Sequence, residues 1–348
     1  MHALPLAPDN FTPPARTPWG GTAIVSRYKN DLGLDPRAVV GESWEVSAGE
    51  EFPSRVLGTG EALREALARD ADRWLGEEAA AGGTALLVKL LDAADHLSVQ
   101  IHPDDAYAGL APGECGKPES WYVLDAAPGA GLYLGLAEGA TPDLMRDALA
   151  REGDVASLLA FVPVAPGDFF VVEAGTAHAI GRGVTLVEPQ VVRPGRRGVT
   201  YRYWDWNRRY DAQGNASPGG QPRALHVDHA LAVTAWGAPR GDGFLRAARA
   251  RAGAADVGAP LALTALCGRA GAALGSAFLE VARVAGTGSL ALPASGRLRA
   301  VTVAEGALHV DGDGATVTVT RGRLAVIAAR ADVVLRGEGA HAVVASAL

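Results

Sequence analysis

Apolar positions recur along this chain chiefly in short runs of period two, the spacing of a strand that buries one face. "SWYVLDA", "GLYLGL", "DFFVVEAG", "GVTLVEPQV" and "GVTYRYWDW" follow one another between residues 120 and 206. "RAVTVAEGALHV", "ATVTVT", "LAVIAA", "DVVLRG" and "HAVVAS" repeat the pattern from residue 299 onward. Three stretches change to helical spacing: "GEALREALARDADRWLG" (60–76), "TPDLMRDALAREGDVASLLAF" (141–161) and "LHVDHALAVTAW" (225–236). The second opens on Thr141 followed by Pro142 and Asp143, a good N-terminal signal. One strand-like run, "LSVQIHPDD" (97–105), puts Leu97, Val99 and Ile101 on one face and Ser98, Gln100 and His102 on the other. A solvated polar face is the ordinary explanation for such a strand taken alone, and another must come from the rest of the chain.

With 44 glycines and 21 prolines to make turns, many short strands at close spacing predict a mainly β chain built of sandwiches or small barrels. A faint internal repeat suggests a pair of them. "GDFFVVEAGTAH" (167–178) lies without gaps on "GRLAVIAARADV" (322–333), so Val333 stands in the second copy where His178 stands in the first. The Gly/Pro/Ala-rich stretch between about 212 and 260 is the expected boundary, and 348 residues suffice for two domains.

Composition narrows the function. With 48% hydrophobic and 20% charged residues the chain is of globular type, and the apolar run "ALLVKLLDAA" is broken by Lys89 and Asp92 before it reaches membrane-spanning length. The N-terminus shows no basic stretch followed by an apolar one, so no signal peptide is read. Cys115 and Cys267 are too few for a disulfide framework, and a reducing cytoplasm is expected. A net charge of −7 argues against bulk nucleic-acid binding. An anionic small molecule would therefore have to be held by a local cluster of cations.

Metal-ligating residue types gather in the first half. Gln100 and His102 sit two apart on one strand, Glu119 heads a second strand in phase with Trp121 and Val123, and His178 follows a strand and a glycine turn. Two imidazoles, a carboxylate and an amide oxygen suit a borderline divalent ion such as Zn²⁺. Taken singly, each also fits a structural role: His102 capping a turn, Glu119 in solvent, His178 as a satisfied loop histidine. Among the cations, Lys89 interrupts an apolar strand, Lys117 lies two residues before Glu119, and Arg202 falls on the face of Thr200 and Trp204. Long cationic side chains near strand ends ordinarily snorkel to the surface. The arginines of "VRPGRRG" (192–198) read as a solvated loop rather than a phosphate site.

In order, "WGG" (19–21), "GESWEVS" (41–47), "VKLLDAADHLSVQIHPDD" (88–105), "GKPESWYVLD" (116–125), "FFVVEAGTAHAIG" (169–181) and "VTYRYWDWNRR" (199–209) resemble the motifs of bacterial type I mannose-6-phosphate isomerases, enzymes of the cupin fold. The resemblance covers roughly residues 15 to 210; the remainder is similar only in pattern. It implies two cupin-like β-barrel (jelly-roll) domains with a few peripheral helices. These would be a catalytic domain over 1–215 with a helical insertion at about 60–80, a linker and helix over 216–240, and a degenerate domain over 241–348. It implies one zinc ion per chain, with Gln100, His102, Glu119 and His178 as ligands. It makes Arg202 an active-site cation, places Lys89 and Ser98 in substrate binding, and sets Lys117 and Glu188 in the same pocket. One departure from the family stands at "VVRPGRRG" (191–198), which lengthens the segment after Glu188 and lacks the usual Ser-Asp.

The reaction so implied interconverts mannose 6-phosphate and fructose 6-phosphate through an enediol-type intermediate. That requires a proton carrier, for which Lys117 and Glu188 compete, and positive charge where the oxyanion develops, which suits Arg202. Rival expectations are a non-catalytic sugar-binding or regulatory cupin, an isomerase of another sugar phosphate, and a cupin dioxygenase, whose redox-metal site would want more histidines. The partner expected is a small sugar phosphate, with neither nucleic acid nor membrane, for a monomer or weak homo-oligomer. The second barrel holds only His309 and His341, and Val326, Ile327, Val333, Val334 and Leu335 are expected to fill it in place of a second metal.

Overall fold

The computed structural model describes residues 1–348. Strands make up 39% of them and helices 15%, which makes the chain mainly β. Three antiparallel sheets carry the architecture. The first has six strands in the order Arg249–Arg251, Asp168–Val172, Glu119–Ala126, Val184–Val191, Leu86–Ala93, Glu42–Val46. The second has five, in the order Tyr201–Trp204, Val99–Ile101, His178–Ile180, Gly131–Leu136, Leu159–Pro163. The third runs Ala3–Pro5, Leu324–Ile327, Arg299–Gly312, Val333–Ala347, Leu279–Leu292, Ala262–Cys267, with Ala315–Thr320 paired to the 299–312 strand.

Side-chain alternation stacks these sheets in layers. Trp121 and Val123 turn toward the five-stranded sheet, where they join Leu91, Phe170 and Leu186 with Leu132, Leu134 and Ile180 in one apolar cluster. Tyr122 and Leu124 turn the other way, into the larger cluster shared with the third sheet. The six-stranded sheet is therefore buried on both faces. This explains why Leu86–Ala93 and Val184–Val191 are buried along almost their whole length, since a strand covered on both sides has no solvent face. The outer face of the five-stranded sheet presents Val99, Ile101, Ala179 and Tyr203 to Met145 of helix Pro142–Ala150 and to Ala230 and Leu231 of helix Val227–Val233.

The expected helices form with altered limits. Residues 60–76 give two short helices, Leu63–Ala68 and Ala71–Leu75, and the second is capped by the Asp70 carboxylate accepting from the Arg73 amide. The helix expected over 141–161 starts as foreseen, with Thr141 accepting from the Leu144 amide, but stops at Ala150. Glu152 then takes a positive φ of 50°, and Leu159–Pro163 becomes a strand at the edge of the five-stranded sheet. The helix Gly241–Ala248 has no counterpart in the sequence expectations. "DVVLRG" and "HAVVAS" are one strand, Val333–Ala347. Along it Val333 and Leu335 point inward while Val334 is 41% exposed, so strand alternation corrects the placing of Val334 in the core.

The chain crosses between its halves in both directions. Ala3–Pro5 pairs with Leu324–Ile327 of the third sheet, and Arg249–Arg251 pairs with Asp168–Phe170 of the first. No helix is long and apolar enough to cross a membrane.

Candidate metal centre and active site

The site lies between the six- and five-stranded sheets, and strand register builds it. Glu119 opens its strand on the inner face, and its register partner is Gln190. Across from them, His178 pairs with Gln100, and Gln100 in turn pairs with Arg202. Residues directly opposite on antiparallel strands share a face, so His178, Gln100 and Arg202 form a row. Val99 and Ile101 pack outward under the helices, which turns Ser98, Gln100 and His102 inward and accounts for the polar face of that strand. Leu97 precedes the strand and packs between the sheets, so it does not follow Val99 and Ile101. A register shift between Arg202 and Trp204 also sets Trp204 opposite Val99, on the outer face, so Trp204 does not share the face of Arg202.

His102, Glu119 and His178 bring one ligand atom each within 4.8 Å of one another, all buried. His102 Nδ1 faces the Val199 carbonyl at 2.9 Å and His178 Nδ1 faces the Thr176 carbonyl at 2.9 Å. A carbonyl only accepts, so both imidazoles carry their proton on Nδ1 and present a bare Nε2. Those two nitrogens face the Glu119 carboxylate at 3.1 and 3.3 Å. Lone pairs aimed at carboxylate oxygens in a buried site repel unless a cation lies between them. A proton is a poor candidate, because burial, with Lys117 adding to it, pushes the His102 imidazole down to about 4, and burial lowers His178 as well. His102 Nε2 has no hydrogen-bond partner. The donor set therefore fits a divalent ion. Burial works against the Glu119 anion, yet its neighbours, with the Lys117 ammonium foremost, outweigh it and hold the carboxyl well below its usual range.

Around this cluster, Lys117 Nζ stands 3.3 Å from Glu119, and Gln190 donates to the same carboxylate at 2.6 Å. Gln190 was missed in the sequence, although "VEPQ" places it two residues after Glu188 and hence on the same face. Glu188 accepts from the Trp121 indole N–H at 3.0 Å. Burial first, and Glu119 next, push its carboxyl upward. Lys89 does not snorkel: it is buried, 3.7 Å from Glu42 and 4.0 Å from Glu188, with its ammonium 4.4 Å from the centre of the Trp44 ring. Burial disfavours its charge, but Glu42, Glu188 and Glu119 more than compensate and raise it. Glu42 and Trp44 belong to "GESWEVS", and sequence reasoning assigned them no role. Ser98 Oγ accepts from Arg202 Nε at 3.1 Å and from the Gln100 amide at 3.0 Å.

The arginines of the 193–198 loop lie at the rim. Arg193 pairs with Asp105 and Arg197 with Glu114, both guanidiniums largely exposed. Gly198 runs close against the Lys117 side chain, where an added Cβ would come within 3.1 Å of Lys117 Cδ. A concavity of about 820 Å³ lies elsewhere, over the third sheet between Leu292, Asp311, Thr316 and Val333, and no histidine lines it. The chemistry of the residues, and not this hollow, marks the site.

Known proteins resemble this chain in sequence and in fold. Residues 15–119 match the phosphomannose isomerase type I catalytic domain. The mannose-6-phosphate isomerase of Streptococcus mutans is 38% identical over 225 residues, 64% of this chain and 65% of its own length. A Bacillus subtilis protein, YvyI, which carries the same name provisionally, is 34% identical over 231 residues, 65% of this chain and 67% of its own. The chain belongs to the type I phosphomannose isomerase family. The aligned part spans just under two thirds of the Streptococcus protein. Structural likeness reaches further: a Bacillus subtilis mannose 6-phosphate isomerase superposes with a TM-score of 0.78 at 25% identity, over 99% of both chains. A structure described as the zinc-bound holo form of a mannose 6-phosphate isomerase shares the fold at TM-score 0.68 and 17% identity, over the full length of both. The superposition on the Bacillus subtilis structure takes in nearly the whole chain, the third sheet included.

Proposed function

We propose that this chain interconverts mannose 6-phosphate and fructose 6-phosphate, with one zinc ion held by Gln100, His102, Glu119 and His178. The observation that carries the proposal is the pair of bare imidazole nitrogens facing one buried carboxylate, with the row His178–Gln100–Arg202 beside them. Family membership supplies the reaction. Two nitrogens with oxygen donors suit zinc, which when bound would polarise sugar oxygens as a Lewis acid.

The remaining chemistry falls to the chain itself. Passing a proton between C2 and C1 through an enediol-type intermediate needs a group able to give and take it. Glu188 is that group in this proposal, since its buried carboxyl is tied to no ligand residue by a hydrogen bond and its proton affinity is raised. Lys117, committed to Glu119, is the second candidate. Arg202 stabilises the developing oxyanion, because a guanidinium keeps its charge in a pocket. Ser98 and Lys89 contact the phosphosugar. Residues 1–215 form the catalytic unit and 241–348 its supporting barrel. Cys115 and Cys267 are buried and unpaired, which suits the cytoplasm.

Purified chain given mannose 6-phosphate should form fructose 6-phosphate, read through a coupled dehydrogenase. Turnover of a different aldose phosphate alone would make it another isomerase. Tight sugar-phosphate binding without turnover would favour a binding cupin.

A further inference from the structure

Tyr201–Trp204 is the edge strand of its sheet, so one side of its backbone has no strand partner. After an excursion pinned by the Asp205 carboxylate to Arg208 and Arg223, the chain returns to that open edge at Ala224–His226. Three hydrogen bonds then converge on Arg202. Its guanidinium donates to the Ala224 carbonyl at 2.9 Å, its backbone N–H donates to His226 Nδ1 at 3.2 Å, and its backbone carbonyl accepts from the His226 N–H at 2.8 Å. His226 thus holds both backbone polar groups of the residue whose side chain enters the pocket.

Helix capping does not explain a histidine here. His226 is the N-cap of helix Val227–Val233, a position that favours Ser, Thr, Asp or Asn, and its imidazole makes no capping bond. The ring is directed to Arg202 instead. For Nδ1 to accept, the proton must sit on Nε2 of a neutral ring. We infer that His226 is a positioning residue, which fixes Arg202 so that its guanidinium keeps its bond to Ser98. The inference rests on the assignment of Arg202 as the active-site cation. A small displacement of such a group, even one caused by a substitution away from the reacting bond, is costly, because catalysis depends on its placement.

Two measurements on the full chain test this. In ¹⁵N-arginine-labelled protein, the Arg202 Nε–H resonance, assigned by its loss in Arg202→Lys, reports the bond to Ser98. His226→Leu should speed exchange of that proton and lower kcat/KM roughly 10- to 100-fold, with metal content and unfolding midpoint little changed. His226→Asn sets an amide oxygen where Nδ1 stood and should recover most of both. Wild-type exchange and turnover in His226→Leu would overturn the inference, as would a His226→Asn variant as impaired as His226→Leu. If the wild-type chain turned over no mannose 6-phosphate, the functional assignment would fail, and the exchange measurement would still decide whether His226 positions Arg202.

Discussion

Arg202 reaches the pocket from an edge strand and is the one arginine bonded to Ser98. Arg202→Ala should lower kcat by about 10²–10³, the usual loss for one preorganised charge donor, while zinc content and unfolding midpoint stay near wild type. Steady-state kinetics with elemental analysis checks this, and normal turnover would return Arg202 to a structural role. Glu188→Gln keeps the bond from Trp121 but removes the proton carrier, so kcat should fall far more than KM rises. A kcat near wild type would pass the role to Lys117. At this scale the sequence was most legible where period two held: Ser98, Gln100 and His102 on one face, and Glu119 in phase with Trp121. It failed at Trp204, where a bulge reverses the phase, and at Gln190 and Glu42, whose neighbours lie on other strands.

Elements were legible as types and less so at their ends. Apolar residues over 158–161 continue the helical spacing of "TPDLMRDALA", but pairing with Gly131–Leu136 offers that segment backbone partners that a longer helix could not, and it becomes a strand. Lys29 shows how one buried charge can tie elements together. Just past the turn Ile24–Tyr28, its ammonium donates to the Pro8 carbonyl at 2.6 Å, to Ser43 at 2.9 Å and to Glu45 at 2.6 Å. Both charges are buried, the lysine on 1% exposure. Lys29→Met would leave Glu45 buried and unpaired, a loss of about 3–5 kcal/mol. Adding Glu45→Leu should recover most of it. Urea unfolding of the three proteins tests this, and a Lys29→Met midpoint equal to wild type would contradict it.

The layering of the whole molecule depends on contacts that no local pattern shows. Tyr122, on the outer face of the six-stranded sheet, meets His341 of the third sheet at 2.9 Å, across 219 residues of sequence. Burial, with Arg283 adding to it, pushes the His341 imidazole from its ordinary 6.5 down to about 4. The unfolded chain therefore takes up a proton that the folded chain refuses. Stability from this group is complete above about 6.5 and is lost as pH falls toward 4. The loss amounts to at most about 3 kcal/mol. His341→Gln should flatten the fall of the urea midpoint across that window, and equal slopes in the two proteins would rule this out. His309 lies near Thr318 and Glu338 and His341 against Tyr122, so the two are engaged separately. Titrating metal-free protein with Zn²⁺ while following fructose 6-phosphate formation from mannose 6-phosphate decides whether the His102–Glu119–His178 cluster is a catalytic metal site. Without metal there should be no turnover, and activity should rise linearly to a plateau at one zinc per chain. Full turnover in the metal-free protein would contradict it.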